Sequence, residues 1–302
     1  MYRKHAKEDK QNLVNVSNLI RSFTRVGVEM LNTTMKSKII NRKELSPFLL
    51  FRQILEMSDA LSVLIRSGCI NASKPVVRSL LEAYFQLAYM FNGDEERKSL
   101  QFLFHYEKRQ KEYYENLAFP KKGGSFFEKL KNDKHLKGTH LPQNQKIIYA
   151  DNVKKIEAVL NEDEYKEISK EYTRTESNKA NFKRGKKGKV SFWYELYNGP
   201  TSIEIVSVEM KEAALYEFIY RNCSSYAHIE DIVHVNLELH DDSSFKVSQL
   251  RDLRQLSIVT NNILLLVELS CFLFLKNKIV NKRKFAIKFA PLSEKRRNIS
   301  QK

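Results

Sequence analysis

The feature that most limits the fold of this chain is a set of apolar residues spaced three and four positions apart. They recur over Leu49–Ile65 and again over Val76–Phe91, which places them on one side of an α-helix each time. Residues typical of helix starts and ends flank both runs: Ser46-Pro47 and Gly68, then Ser73 with Pro75 and Asn92-Gly93. We therefore expect two neighbouring helices joined by a short connection.

The composition and the spacing of apolar residues favour helices in the rest of the chain as well. Only 9 Gly and 6 Pro among 302 residues disfavour β-sandwiches, barrels and propellers, which need many tight turns. One alternating stretch, Val233–His240, is the only strand-like signal. We expect an all-α fold, a multi-helix bundle, with further helices at about Glu95–Leu117, Asp151–Tyr172, Ser202–Cys223 and Ser248–Lys276.

We expect one α-helical domain over residues 1–276, with a lysine-rich excursion around 119–190, and a basic C-terminal tail over 277–302. Six of the eleven residues in Lys179–Lys189 are basic and none is acidic; the tail has nine basic residues and one acid, Glu294. Such charge runs are usually solvated. We therefore expect both basic segments to be mobile.

The composition also bears on the compartment. The start of the chain is charged and lacks an apolar segment behind it, so we expect no secretory signal. The apolar run Ile263–Leu275 is short for a membrane span and contains Glu268, so we expect a buried core helix and no transmembrane segment. Three scattered cysteines, Cys69, Cys223 and Cys271, without CxxC spacing favour a reducing, cytoplasmic location.

One local pattern is suited to phosphodiester chemistry. Arg221 precedes His228 by seven positions at the end of a predicted helix, so both side chains would share one face, about 10 Å apart. A guanidinium can stabilise a phosphorane and an imidazole can transfer a proton, so the pair could cleave RNA without a metal ion. Two alternatives remain: Glu217 could form an ordinary helical ion pair with Arg221, and His228 could bond a backbone carbonyl at a helix end.

A second polar pair lies on an apolar helix. Arg78 and Glu82 are four residues apart, and unpaired charges there would be costly, so they must pair or face a cleft. They could form an ion pair that ties two helices together. Alternatively, Arg78 could bind phosphate while Glu82 orients His228 or Arg221.

Two family resemblances extend this interpretation. The Arg221–His228 segment resembles the Arg-x(4-6)-His motif of the HEPN superfamily, many of whose members are metal-independent ribonucleases of toxin and anti-phage systems. The segments Arg78–Tyr84 and Leu87–Tyr89, with Tyr220, Ser224 and His228 downstream, resemble a bacterial family catalogued as a domain of unknown function, number 5677, over roughly Leu49 to Phe274. The HEPN resemblance implies catalysis by Arg221 and His228 and a homodimer. We group with this pair the supporting candidates Arg78, Glu82, Asn222, Ser224 and Tyr226.

The sequence gives no reason to expect a metal or cofactor. His228, His234 and His240 are spaced by six, so their side chains diverge by about 120° on a helix or lie roughly 20 Å apart on a strand. Neither arrangement lets them share one zinc ion. Motifs for dinucleotides, P-loops, zincins and α/β-hydrolases are also absent.

A net charge of +16 favours nucleic acid as a partner, because neutralised phosphates release counterions. Solubility, an anionic membrane surface or an acidic protein could also explain the charge. The candidate nucleic-acid-binding residues are Lys183, Arg184, Lys186, Lys187, Lys189, Lys282, Arg283 and Lys284.

The resulting hypothesis is a cytoplasmic endoribonuclease that acts on RNA as a homodimer, with an antitoxin or defence-system protein as a possible partner. The alternative is a non-catalytic helical module that binds nucleic acid or protein.

Overall fold

Helices make up most of the regular structure. The computed structural model describes residues 5–37, 39–118, 129, 132–136, 143–182, 188–224, 237–239, 245–247 and 249–300. Its long helices are α1 (Lys7–Ser37), α2 (Arg42–Arg66), α3 (Ile70–Phe91), α4 (Glu95–Ala118), α5 (Gln143–Leu160), α6 (Lys166–Phe182), α10 (Leu256–Lys278) and α11 (Lys282–Ser300). Three short helices lie between α6 and α10: α7 (Ile203–Glu209), α8 (Ala213–Leu215) and α9 (Arg221–Ser224). The prediction of an all-α bundle is confirmed.

A few shorter elements complete the description. A π-helical turn, Tyr216–Tyr220, separates α8 from α9, and 3-10 turns occupy Asp163–Tyr165 and Trp193–Asn198. Two three-residue strands, β1 (Leu237–Leu239) and β2 (Phe245–Val247), pair antiparallel, with Glu238 opposite Lys246. The strand-like signal in the sequence therefore contains a real but short strand.

The chain forms two compact units. Unit 1 comprises residues 1–95 and 202–302, and unit 2 comprises residues 96–201. In unit 2, the aromatic-rich α4 packs with α6 around Phe104, Tyr165 and Tyr172, which are buried together. The charged helix expected near residues 151–172 is two helices, α5 and α6, separated by a 3-10 turn.

Helix α10 lies in the core of unit 1, against α1, α2, α3 and α11. Phe274 stacks on Phe51 at 4.1 Å between ring centroids and meets Phe48 edge-on at 5.5 Å. Among the described residues, α10 alone is long and apolar enough to cross a membrane, with a mean hydropathy of 2.0 over its most apolar window, 67% of which is buried. Its internal carboxylate, Glu268, is ion-paired to Arg296 of α11.

The helix starts differ from the prediction. Asn41 caps α2 by accepting a hydrogen bond from the backbone N–H of Glu44 at 3.1 Å, and α3 begins at Ile70. Pro47 and Pro75 therefore lie inside helices. Each proline removes a single hydrogen bond to a carbonyl near the helix start, so it does not prevent an earlier beginning.

The basic tail was expected to be mobile, and this was wrong for residues 282–300. These residues form α11, which packs on α1 and α10. Phe285 and Phe289 are each 1% exposed, and Phe289 contacts Phe23 of α1 at 6.0 Å between ring centroids. Burial of two aromatic rings favours order over a solvated tail.

Candidate functional site

The described candidates for catalysis and for its support lie where α3 packs against the segment from α8 to α9. Arg78 and Glu82 lie on α3, and Arg221, Asn222 and Ser224 lie on α9. Both the π-helical turn and α9 contact α3. Six candidates lie outside the described residues: Tyr226, His228, Lys183, Arg184, Lys186 and Lys187.

The π-helical turn is the unusual backbone feature of this site. Tyr216 and Tyr220 stack within it at 4.6 Å between ring centroids, and Ser224 Oγ donates a hydrogen bond to the carbonyl of Tyr220 at 2.7 Å. A π turn changes the angular position of the residues that follow it. The direction of Arg221 therefore cannot be obtained by extending an ideal α-helix from Ser202, which was the basis of our prediction.

Arg78, Glu82 and Tyr220 form a three-residue cluster. The Arg78 guanidinium donates to Glu82 Oε1 at 3.1 Å and to the Tyr220 hydroxyl at 2.6 Å, and it lies 4.4 Å from the centroid of the Tyr220 ring. Burial and the nearby Glu82 carboxylate raise the pKa of Tyr220. The cluster ties α3 to the π-helical turn, as the structural interpretation of the Arg78–Glu82 pair proposed.

Arg221 points to a different set of carboxylates. Its Nε lies 2.5 Å from Glu217 Oε2 and a terminal nitrogen lies 3.9 Å from Glu204 Oε1. The Glu217–Arg221 ion pair considered from the sequence is therefore present. The arginine side chain is still 62% exposed, so its guanidinium is accessible to a ligand.

A buried lysine was not predicted. Lys74 is 1% exposed, donates a hydrogen bond to Gln255 Oε1, and interacts electrostatically with Cys223 of α9. Burial lowers the pKa of Lys74 to about 8 and raises the pKa of Cys223 to about 11. The thiol of Cys223 is thus protonated near neutral pH, in agreement with a structural rather than a reactive cysteine.

A second buried polar contact also involves α3. The Tyr84 hydroxyl donates to Glu212 Oε1 at 2.7 Å, while Glu212 Oε2 is buried without a hydrogen-bond partner among the described residues. Burial raises the pKa of this carboxyl. The contact between the two side chains joins α3 to the start of α8.

Comparison with known proteins identifies the family. A family model described as a family of unknown function (DUF5677) matches residues 45–244, which is more than half of the chain. The chain belongs to this family. The DUF5677 match ends before the expected limit near Phe274, and it contains Arg78, Glu82 and Arg221. A search of the curated proteins and a search of the solved structures each gave no significant match.

The DUF5677 assignment brings no known activity with it, and these comparisons do not confirm the HEPN resemblance. Among the described residues, no group of three or more His, Cys, Asp and Glu side chains could hold a metal ion. The arrangement of the described site supplies an accessible guanidinium, Arg221, beside a partly buried cluster of Arg78, Glu82 and Tyr220.

The described basic candidates lie in both units. In unit 2, Lys189 is 59% exposed and ion-paired to Glu112 at 2.5 Å. Outside the DUF5677 match, Lys282, Arg283 and Lys284 lie in the first turn of α11, where Lys284 contacts Glu29 at 3.3 Å. Ion pairs reduce, but do not remove, the positive charge that these residues present to an anionic partner.

Proposed function

We propose that this DUF5677 protein is a metal-independent endoribonuclease that uses Arg221 and His228. The observation that carries the proposal is the position of Arg221, whose exposed guanidinium belongs to the residue that directly follows a π-helical turn. Short π-helical segments occur frequently at functional sites, because an inserted residue re-aims the side chains around it. The resemblance to the HEPN motif supplies His228 as the second member of the pair.

The proposed reaction is an internal transesterification. The ribose 2′-oxygen forms a bond to phosphorus, the bond from phosphorus to the 5′-oxygen breaks, and the products are a 2′,3′-cyclic phosphate and a 5′-hydroxyl. His228 either accepts the proton of the 2′-hydroxyl or protonates the leaving 5′-oxygen, and water performs the other transfer, so that protons balance over the reaction. Arg221 stabilises the charge that develops on the phosphoryl oxygens.

The Glu217 carboxylate has a defined part in this proposal. In the unbound protein it holds the Arg221 guanidinium at 2.5 Å. Because both side chains are more than half exposed, the ion pair is weak and a phosphate can replace the carboxylate. The cluster of Arg78, Glu82 and Tyr220 then acts as the support that fixes the π-helical turn against α3.

RNA is the proposed partner because the chain carries a net charge of +16. A homodimer and an antitoxin or defence-system protein enter the proposal through the HEPN resemblance, and a cytoplasmic location follows from the cysteine usage. Lys189, Lys282, Arg283 and Lys284 are the described residues proposed to attract the RNA strand.

The test is cleavage of a mixed-sequence RNA by purified protein in EDTA. We expect cleavage with 2′,3′-cyclic phosphate ends, and a loss of at least about a hundredfold in Arg221→Ala and His228→Ala. The control is Lys166→Ala, which removes a similarly exposed cation, paired to Asp163 at 2.7 Å, from unit 2. Full activity in both site variants would refute the assignment of these residues.

One observation favours a second candidate function, the non-catalytic helical module. Arg78 and Arg221 each have carboxylate partners within unit 1, which is what purely structural residues would show. In that case the protein would bind RNA, or an acidic protein, without cleaving any RNA. Retention of full-length RNA with salt-dependent binding would support this module over the ribonuclease.

A further inference from the structure

Helices α1 and α2 form a groove on unit 1 that the proposed ribonuclease site does not use. Its volume is about 680 Å³. Leu31 and Leu55 lie at its base and are 7% and 3% exposed, whereas Val28 and Met35 line its side and are 41% and 54% exposed. The groove is therefore apolar at its base and opens widely to solvent.

Gly27 allows α1 to pack closely against α2 beside the groove. At Gly27 the two helices come so close that a Cβ atom would lie 2.4 Å from Leu55 Cδ2. The lining residues of α1 then run from Arg21 to Met35 on one stripe, over roughly 21 Å of helix. The length of the groove is therefore that of a third helix of about four turns.

The charge on the two sides of the groove is unequal. On the α1 side, Arg21 donates to Ser62 Oγ at 3.1 Å, and Arg25 is exposed with no ion-pair partner among the described residues. The nearby Glu29 of α1 is engaged by Lys284 and Lys288 of α11. The α1 side therefore presents uncompensated positive charge.

The α2 side carries charges of both signs. Arg52 and Glu56 form an ion pair at 2.8 Å, and Asp59 lies one turn further along the same stripe. With two carboxylates, Glu56 and Asp59, and one guanidinium, Arg52, the α2 side has a small net negative charge. A ligand that fits the groove should therefore be negative only along the edge that faces α1.

We infer that this groove docks an amphipathic helix of a partner protein, with apolar residues at positions i, i+3, i+4 and i+7 and acidic residues along the edge that faces Arg21 and Arg25. The apolar positions would cover Val28 and Met35, which are too exposed to be part of a finished core. No aromatic side chain is among the described residues that line the groove, so bases of RNA would find no aromatic ring there to stack on.

The test uses a designed peptide with a fluorescent label. The peptide has about 18 residues, with leucine on the apolar stripe and glutamate along one edge, and its comparison peptide has lysine in place of every glutamate. Fluorescence anisotropy with the full chain should show binding of the acidic peptide and at least about tenfold weaker binding of the basic one.

Two variants of the groove and one control locate the binding. Arg25→Glu and Met35→Ser should each weaken binding of the acidic peptide by about tenfold. Raised salt should reduce the effect of Arg25→Glu but not that of Met35→Ser. Lys10→Glu reverses an exposed charge on the same helix, outside the groove, and should leave binding unchanged; circular dichroism of all variants checks that α1 remains folded.

Equal binding of the two peptides, or binding of the acidic peptide that neither groove variant changes, would overturn the inference. Sedimentation of the chain without peptide tests whether the chain forms a dimer through the groove. A dimer that Arg25→Glu and Met35→Ser both dissociate would mean that a second copy of this chain, and not an acidic partner helix, covers the groove. None of these results depends on RNA cleavage, so the docking groove and the ribonuclease proposal can fail separately.

Discussion

The replacement of Lys74 by methionine should make the protein more stable at neutral pH. Lys74 is 1% exposed on α3, and its ammonium group has Gln255 as a hydrogen-bond partner. Burial lowers the pKa of Lys74 from its ordinary value of 10.5 to about 8. Methionine has a similar length and no charge, so it removes the burial penalty without leaving a large cavity.

The magnitude follows from the two pKa values. Because the folded chain holds the proton of Lys74 less tightly than the unfolded chain, a shift from 10.5 to about 8 corresponds to about 3 kcal/mol of lost stability wherever both states are protonated. That penalty applies in full below pH 8. Between pH 8 and 10.5 the unfolded chain binds more protons, so the free energy of unfolding rises with pH. Loss of the bond to Gln255 offsets about 1 kcal/mol of the gain in the variant.

The assay is chemical unfolding of both proteins from pH 7 to 10.5, followed by the helical circular dichroism signal. We expect Lys74→Met to be about 2 kcal/mol more stable at pH 7, and the wild-type chain to gain about 3 kcal/mol relative to it by pH 10.5. Cys223, whose pKa burial raises from 9 to about 11, titrates with the opposite sign in both proteins, and loss of the nearby Lys74 charge raises its pKa further in the variant. Lys10→Met controls for the loss of an exposed charge. A stability difference that stays constant between pH 8 and 10.5 would refute the reasoning.

Three other predictions concern single residues or pairs. Burial lowers the pKa of His105 from 6.5 to about 4, so between these pH values the folded state binds fewer protons than the unfolded state. As the pH falls from 6.5 to 4, unit 2 should therefore lose about 3 kcal/mol of stability relative to His105→Phe. The fluorescence of Trp193, the single tryptophan, which is buried in unit 2, follows the unfolding. Arg296→Met leaves the buried Glu268 carboxylate without its ion-pair partner and should destabilise the chain by about 3 kcal/mol in urea unfolding, and adding Glu268→Leu should restore most of this loss. Gly68→Ala should lower stability by about 1 kcal/mol in the same assay, since Gly68 has a φ of +72°, and an unchanged midpoint would contradict this account.

The sequence predicts the fold class but misses its longest helix. The 31 residues of α1 carry an apolar stripe, yet this helix lacks the nearby proline and glycine that mark α2 and α3. The many basic residues of α11 make this segment resemble a solvated tail, although it contains Phe285 and Phe289. Burial of these two rings depends on the contact with α1, which is distant in sequence. Local spacing therefore identifies helices most readily where turn residues mark their ends. Helices that depend on long-range packing carry a weaker local signal.

The same distinction applies within the candidate site. The pairing of Arg78 with Glu82 can be predicted, because residues four apart on a helix are neighbours. Tyr220, the third member of the cluster, is 142 residues from Arg78, and only the fold brings the two together.

Lys74 shows how a local rule can miss a buried charge. Taking Ser73 as a helix cap would place Lys74 in an exposed first turn. Because α3 begins at Ile70, Ser73 Oγ instead donates to the Ile70 carbonyl at 2.6 Å, and Lys74 lies in the second turn, facing the core. A shift of the helix cap by about one turn, from Ser73 to Cys69, thus places Lys74 in a buried position beside Cys223 instead of in solvent. The pH dependence of stability therefore tests whether Lys74 is buried as the structure has it.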